Sequence, residues 1–464
     1  MPRTVCCVDF GSTYTKAALV DVCGGGLLAT ASAPTAVHTD VLDGWDVVRD
    51  ELAAIHPQVR EAEVIACSSA GGGLRIAVVG NEELVTAEAG RRVALSSGGR
   101  VVTVISGGLT ASSHVELHAA APDVVLLVGG TDGGNPQTLV DSARTLAEGA
   151  ERRPVVVAGN AEAQVQVGEL LDAADVPYRC CDNVVPRIGV LQPEPARAAI
   201  RAMFLEHVIG GKGLSRRAEF TAMVRGATPD VVLRAVELLA TIAGDVAVVD
   251  IGGATTDVHS VAEVDPEDAG LAREVVAPTA VSRTVEGDLG MRWSALATIA
   301  AGREAGLLDE HQYDDLEPAA RRRQDDPSYL ASRAQETEAD QRLATLACGV
   351  ALRRHAGRQQ IRFGPDGRIV ERAGKDLREI DLLVGSGGIL RHRPTPAAIR
   401  VLQASCGRDV AGGWLLPRLP RAVVDHDCVL AAAGLLAPDH PATAAALLRR
   451  LVDQTQDLTE GEPG

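Results

Sequence analysis

This sequence predicts a layered α/β protein in two lobes, on three observations. First, short bulk-apolar runs alternate with helix-patterned stretches. The runs are "RTVCCVDFG", "EVIACSSA", "RVVTVISGG", "DVVLLVGG", "RPVVVAGN", "DVAVVDIGG" and "IDLLVGSGG"; the helical stretches include "PQTLVDSARTLAEGA" and "NAEAQVQVGELLDAADV". Continuous apolar runs are what strands covered on both faces need. Second, several runs end in glycine, at Gly71 to Gly73, Gly129 and Gly130, Gly252 and Gly253, and Gly385 to Gly388. In open α/β sheets ligands sit beyond the carboxyl ends of strands, where glycine lets the backbone approach and frees amides for anions. Third, the strand-Asp-x-Gly pattern appears twice, as "VDFGSTYTK" from Val8 and "VDIGGATTD" from Val249, once near the start of each half.

The elements follow in order. "RTVCCVDFG" and "KAALVDV" flank a glycine-serine-threonine turn and read as a hairpin. The helical "TPDVVLRAVELLATIAG" ends at Gly244, which places the lobes at residues 1–243 and 244–438. Polar, charged sequence from Leu307 to Arg342 is expected on the surface of the second lobe. Residues 439–464 read as a short helix, "PATAAALLRRLVDQTQ", and a disordered acidic tail, "DLTEGEPG".

Composition excludes several classes. With 464 residues, 46% of them hydrophobic, the chain is long enough for two or three cores. Aromatics make up 2%, too few for the stacking platforms of single-strand nucleic-acid binders, and a net charge of −17 repels phosphate backbones and anionic membranes. No nucleic-acid or membrane partner is expected. The N-terminus "MPRTVCCVDFGS" has no secretion pattern and no apolar run is long enough to span a bilayer, so the cytoplasm is the expected location. None of the nine cysteines stands in a C-x-x-C pair.

Asp9 and Asp250 each close a buried strand ahead of a glycine turn. A carboxylate there suits Mg²⁺, which keeps several waters and asks for only one or two protein oxygens. Beside Asp9, Ser12 and Thr13 offer amides and hydroxyls to phosphate, and Lys16 offers charge. Beside Asp250, Thr255, Thr256 and Asp257 repeat the device. Either motif alone reads equally as a capped turn; the pair reads as a nucleotide site. Glu286 and Asp288 in "TVEGDLGMRW" read as a capping turn or as cleft-facing groups. Asp132 in "GGTDGGN" reads as a helix cap or a ligand group. His114 and His118 share a helix face, but without H-E-x-x-H they read as core or surface histidines. The "DHD" at Asp425 to Asp427 reads as the start of the last buried helix.

"VDFGSTYTK", "VVDIGGATTDV" and "LLVGSGGIL" resemble, in order, the first phosphate, second phosphate and adenosine motifs of the actin, sugar-kinase and heat-shock ATPase superfamily. Within it, "DFGSTYTKA", "AGGGLR", "LLVGGTDGGN", "DIGGATTDVHS", "VEGDLGMR" and "AAAGLLA" are similar to the glutamate mutase (methylaspartate mutase) accessory proteins, the MutL-type family unrelated to mismatch repair. The resemblance implies two ribonuclease-H-like lobes with ATP and Mg²⁺ in a cleft between them. It assigns Asp9 and Asp250 to the metal, and Gly11, Ser12, Thr13 and Lys16 to phosphate from the first lobe. Gly252, Gly253, Thr255 and Thr256 take phosphate from the second, with Asp257 near the attacking water. Gly385, Ser386, Gly387 and Gly388 lie along the purine and ribose. Two departures stand out: Ala254 replaces a third glycine, and Thr228 occupies the place where heat-shock ATPases carry a glutamate, which implies slow hydrolysis.

The function implied is an ATP-driven reactivating factor for an adenosylcobalamin-dependent mutase, with the mutase subunits as partner. No D-x-H-x-x-G cobalamin motif occurs, so the chain acts on a holoenzyme. The alternative is a small-molecule kinase of the sugar or acetate kinase type, which needs a carboxylate base beside an acceptor pocket that the sequence does not display. An actin-like assembly protein needs self-complementary surfaces. A dehydratase activator needs clustered cysteines, and a peptide chaperone needs more chain beyond Gly388 than is present.

Overall fold

The computed structural model describes residues 4–36, 39–263, 279–364, 367–407 and 412–457. The acidic tail lies almost wholly outside them. The chain divides into two compact units. The first runs to Arg234 and takes in Gly434–His440; the second starts at Ala235 and includes Ala280–Ala433 and the chain from Pro441. The division falls inside the helix Thr228–Ala243, not at Gly244. No helix breaker stands between Ala235 and Ala243, so packing marks the boundary and local sequence does not.

The first unit begins with strands β1 (Thr4–Phe10), β2 (Tyr14–Asp21), β3 (Gly26–Pro34) and β4 (Glu63–Ser68), with β10 (Val224–Ala227) much later. They assemble in the order β3-β2-β1-β4-β10: an antiparallel meander β1-β2-β3, then β4 and β10 parallel to β1. Val5, Cys6, Cys7, Val8 and Phe10 are all buried, as the unbroken apolar run requires. The helix Val41–Ile55 starts where the Asp40 side chain accepts from Leu42 N, and it buries Val41, Leu42, Trp45, Val48 and Leu52 at helical spacing.

Between β4 and β10 the chain builds a second sheet that the sequence reading does not separate from the first. Strands β5 (Leu74–Val79), β6 (Gly99–Ile105), β7 (Val124–Leu127), β8 (Val155–Val157) and β9 (Tyr178–Cys180) form an all-parallel sheet in the order β6-β5-β7-β8-β9. One face (Ile76, Val78, Leu126) joins the core that holds Phe10 and Trp45; the other (Val79, Val125, Leu127) packs on Leu139, Val140, Val167 and Leu171. Truncating a leucine such as Leu126 to alanine costs about 2–5 kcal/mol.

The second unit repeats the first meander. Strands β11 (Val246–Ile251), β12 (Thr256–Val261), β13 (Val281–Glu286), β16 (Leu382–Ser386), β17 (Arg421–Val424) and β18 (Gln456–Asp457) assemble as β13-β12-β11-β16-β17-β18. Again β11-β12-β13 is antiparallel, and β16 and β17 run parallel to β11. The hairpin β14 (Arg358–Gly364) and β15 (Gly367–Ala373) stands apart. The stretch expected on the surface holds the helix Glu310–Asp325 and the start of Ala334–His355, and its Arg323 is fully buried against Asp340 and Glu336. The same strand order in both units is the ribonuclease-H-like order of the actin and sugar-kinase fold.

Candidate functional site

The two Asp-x-Gly hairpins are built alike. In the first unit Gly11 N donates to Tyr14 O at 3.1 Å; in the second Gly252 N donates to Thr255 O at 2.9 Å. A Cβ on Gly11 would lie 2.7 Å from Tyr14 O, and one on Gly252 would lie 2.8 Å from Thr255 O. Glycine is needed at both positions because the hairpin closes on its own carbonyl. The register places Asp9 opposite Lys16, and Asp250 opposite Asp257. One hairpin thus faces a carboxylate with an ammonium, and the other faces it with a second carboxylate.

Asp9 is 7% exposed. Its Oδ1 accepts from Thr228 Oγ1 at 2.6 Å and from Cys67 Sγ at 3.6 Å, while Lys16 Nζ stands 3.8 Å from Oδ2. Burial and the neighbouring Asp9 charge push the Cys67 thiol well above its ordinary range, so it stays protonated and donates. Ser12 and Thr13 lie exposed at the turn.

In the second unit, Asp257 is held by Arg283, whose Nε is 3.1 Å and Nη2 2.5 Å from Oδ1, and Thr255 Oγ1 donates to Oδ2 at 3.3 Å. Arg283 is only 5% exposed, so the second hairpin carries its own buried cation. Like charges directly across a strand pair repel, and Arg283 offsets that repulsion. The assignment of Asp257 to water activation meets a carboxylate already bound to a guanidinium. Thr256 is fully buried and donates to Leu289 O at 3.0 Å, so its hydroxyl turns away from any ligand.

The "EGDLGMRWS" segment underpins this loop. Met291 N donates to Gly252 O, Arg292 N and Trp293 N donate to Gly253 O, and Ser294 Oγ donates to Ala254 O at 2.7 Å. The loop carbonyls are therefore satisfied from one side. A Cβ on Gly290 would sit 2.6 Å from Ala254 C and 2.7 Å from Gly253 O. The backbone of this segment is its contribution; Glu286 and Asp288 both bind Arg354, at 2.8 and 2.6 Å. Hydrogen bonding to Arg354 holds Asp288 below the usual carboxylate range, while burial raises Glu286.

The adenosine-type loop leaves β16, whose Ser386 pairs with Asp250. Gly387 has φ +100°, and a Cβ there would meet Ile251 O at 2.2 Å, so only glycine fits both the backbone and the space. Gly385 faces Leu390 and Leu402, and Gly388 opens to empty space.

Other flagged residues have structural partners. Asp132 Oδ1 accepts from Ala161 N and Asn183 Nδ2, and Asn135 Oδ1 accepts from Gln137 N just ahead of the next helix. His118 pairs with Glu151 at 2.7 Å. Asp425 is buried and caps the last buried helix through Val429 N and Leu430 N. Reading the sequence missed Cys67, Arg283, Gly290 and Ser294, because their contacts join segments far apart in the chain. Among the described residues no group of three or more His, Cys, Asp or Glu could hold a metal by itself, and no helix is long and apolar enough to cross a membrane.

Two ribonuclease-H-like sheets, each with a strand-Asp-x-Gly hairpin at its centre, give this chain the fold shared by actin-like ATPases and sugar kinases. A family model described as MutL protein matches residues 5–452. Protein MutL of Clostridium tetanomorphum is 36% identical over 454 residues, covering 96% of this chain and 98% of its own. The chain belongs to the MutL family, the family associated with glutamate mutase and distinct from mismatch repair. A nucleotide-free acetone carboxylase aligns at TM-score 0.40 and 14% identity over 94% of this chain and 70% of its own. Gluconate kinase from Lactobacillus acidophilus aligns at TM-score 0.33 and 9% identity over 98% and 92%.

Proposed function

We propose that this chain is an ATP-dependent reactivating factor for an adenosylcobalamin-dependent mutase of the glutamate (methylaspartate) type. The observation that carries this reading is the duplicated hairpin, Asp9 in one unit and Asp250 in the other, in a chain of the mutase-associated family. The donor set fits Mg²⁺: hard carboxylates at strand ends and, among the described residues, no cluster able to hold an ion alone, so nucleotide phosphates and water would complete the shell. Bound there, Mg²⁺ would neutralise polyphosphate charge.

The chain's own residues do the rest. Ser12, Thr13 and Lys16 bind phosphate from the first hairpin. Gly252, Gly253 and Thr255 bind it from the second, whose carbonyls are already satisfied by the 291–294 segment. Gly385 to Gly388 receive the nucleoside. Asp257, fixed by Arg283, orients Thr255 and the water near the terminal phosphate. ATP and ADP forms that differ in affinity for the mutase would then open it long enough to exchange damaged cobalamin; equal affinities would achieve nothing. The stretch from Leu307 to Arg342, which holds the helix Glu310–Asp325 and the start of Ala334–His355, is the proposed mutase-binding region.

The kinase reading lacks its base. The carboxylate in the first helical turn after β10, Asp230, is 1% exposed and clamped by Arg201 and Arg234, and Thr228 near it is a hydroxyl. The test is to incubate cyanocobalamin-inactivated mutase with the protein, adenosylcobalamin, Mg²⁺ and ATP, and to repeat it with Asp250→Ala. Activity should return only with intact protein and ATP. Recovery without nucleotide, or with Asp250→Ala, would overturn the proposal.

A further inference from the structure

Thr228 stands where the resemblance to heat-shock ATPases implies a glutamate, and the structure gives it a different task. It is the first residue of the helix Thr228–Ala243, which follows β10 without a loop. The first turn of that helix is fixed from two sides. Arg201 Nε and Nη2 hold both oxygens of the buried Asp230 at 2.6 and 2.8 Å. Gly98, at φ +79°, lets the turn come so close that a Cβ on it would lie 2.6 Å from Asp230 N. Thr228 therefore cannot drift, and its hydroxyl donates to Asp9 Oδ1 at 2.6 Å.

Asp9 uses its two oxygens differently. Oδ1 takes both neutral donors, Thr228 and Cys67, whereas the contact of Oδ2 among the described residues is Lys16 at 3.8 Å, beyond hydrogen-bond distance. A carboxylate turns freely about its Cβ–Cγ bond unless something holds one oxygen. Short hydrogen bonds to a charged acceptor are the strong ones, and partners behind a metal ligand set both its orientation and its basicity.

We propose that Thr228 is a positioning residue: its hydroxyl clamps one oxygen of Asp9 and leaves the other presented to a nucleotide-bound divalent cation. Cys67 is the auxiliary donor of the same clamp. This inference rests on the ATP and Mg²⁺ reading above and adds the group that orients the ligand. A glutamate at position 228 would bring a second negative charge against Asp9 and could not donate. The threonine thus favours holding the metal-nucleotide over activating water.

The full-length protein tests this with Mn²⁺ as the probe, its binding followed by electron paramagnetic resonance at saturating ADP. ADP affinity in EDTA and thermal stability are measured in parallel. Thr228→Val keeps the shape and removes the donor. Mn²⁺ should bind about ten-fold more weakly, with ADP affinity in EDTA and melting temperature unchanged; Thr228→Ser should restore Mn²⁺ binding. In turnover, the Mg²⁺ concentration for half-maximal rate should rise while kcat at saturating Mg²⁺ changes little. Unchanged Mn²⁺ affinity in Thr228→Val, when Asp9→Asn loses Mn²⁺, would overturn the clamp and leave the reading of the site intact. Loss of metal-free ADP binding or of melting temperature in both Thr228 variants would show a merely structural role and also overturn it. Wild-type Mn²⁺ binding in Asp9→Asn and Asp250→Asn would overturn the site itself.

Discussion

Acid should destabilise the second unit through two buried histidines. His355 is 3% exposed, with Nε2 2.8 Å from Ser260 Oγ and Nδ1 2.9 Å from Thr284 Oγ1. His259 is 2% exposed, and its Nδ1 has no hydrogen-bond partner among the described residues. Burial holds both well below the ordinary histidine range, aided by Lys375 and His259 for His355 and by Arg283 for His259. The native protein therefore keeps both rings neutral, while the unfolded chain takes up a proton on each below about pH 6.5. Because the unfolded state binds more protons, stability falls as pH falls. Each ring contributes about 1.4 kcal/mol per pH unit below that point, so the pair removes about 4 kcal/mol between pH 7 and 5. Nearby, Asp288 is held low by Arg354 and titrates beneath this window. Glu286, raised by burial, has the opposite sign: its native form takes the proton first, which adds a little stability at the acid end. The assay is urea unfolding at half-unit pH steps, for wild type and His355→Gln, whose amide keeps one hydroxyl bond but cannot titrate. The variant should lose about half the slope. A flat wild-type profile from pH 7 to 5, or equal slopes in the two proteins, would refute the reasoning.

Gly290→Ala should push the Gly252–Ala254 loop out of place, because the new Cβ meets the backbone of Gly253 and Ala254. We expect a loss of about 1–3 kcal/mol in thermal unfolding and, by calorimetry, of ATP affinity. Arg283→Met leaves Asp257 facing Asp250 without its cation, at a cost of about 3–5 kcal/mol. Asp257→Asn in the same chain should recover part of that loss in a double-mutant cycle. Trp293 is 61% exposed and its amide is bonded to Gly253 O, so nucleotide binding should change tryptophan emission, and Trp293→Phe should abolish the change.

The sequence by itself determined what is local. Bulk-apolar runs located most of the central strands, and the repeated Asp-x-Gly turns marked both hairpins, because a hairpin that closes on its own carbonyl needs glycine within a few residues of the strand end. Tertiary structure alone decided what depends on distant segments meeting. The sheet β5 to β9 has the same apolar runs as the ribonuclease-H-like sheets, and only strand pairing separates it from them. The division inside the Thr228–Ala243 helix has no sequence mark, because that helix is continuous. Thr228 and Cys67 reach Asp9 across 219 and 58 residues, and Gly290 reaches Ala254 from another strand's end. Such contacts are fixed by which strand lies beside which, and no spacing along the chain encodes that.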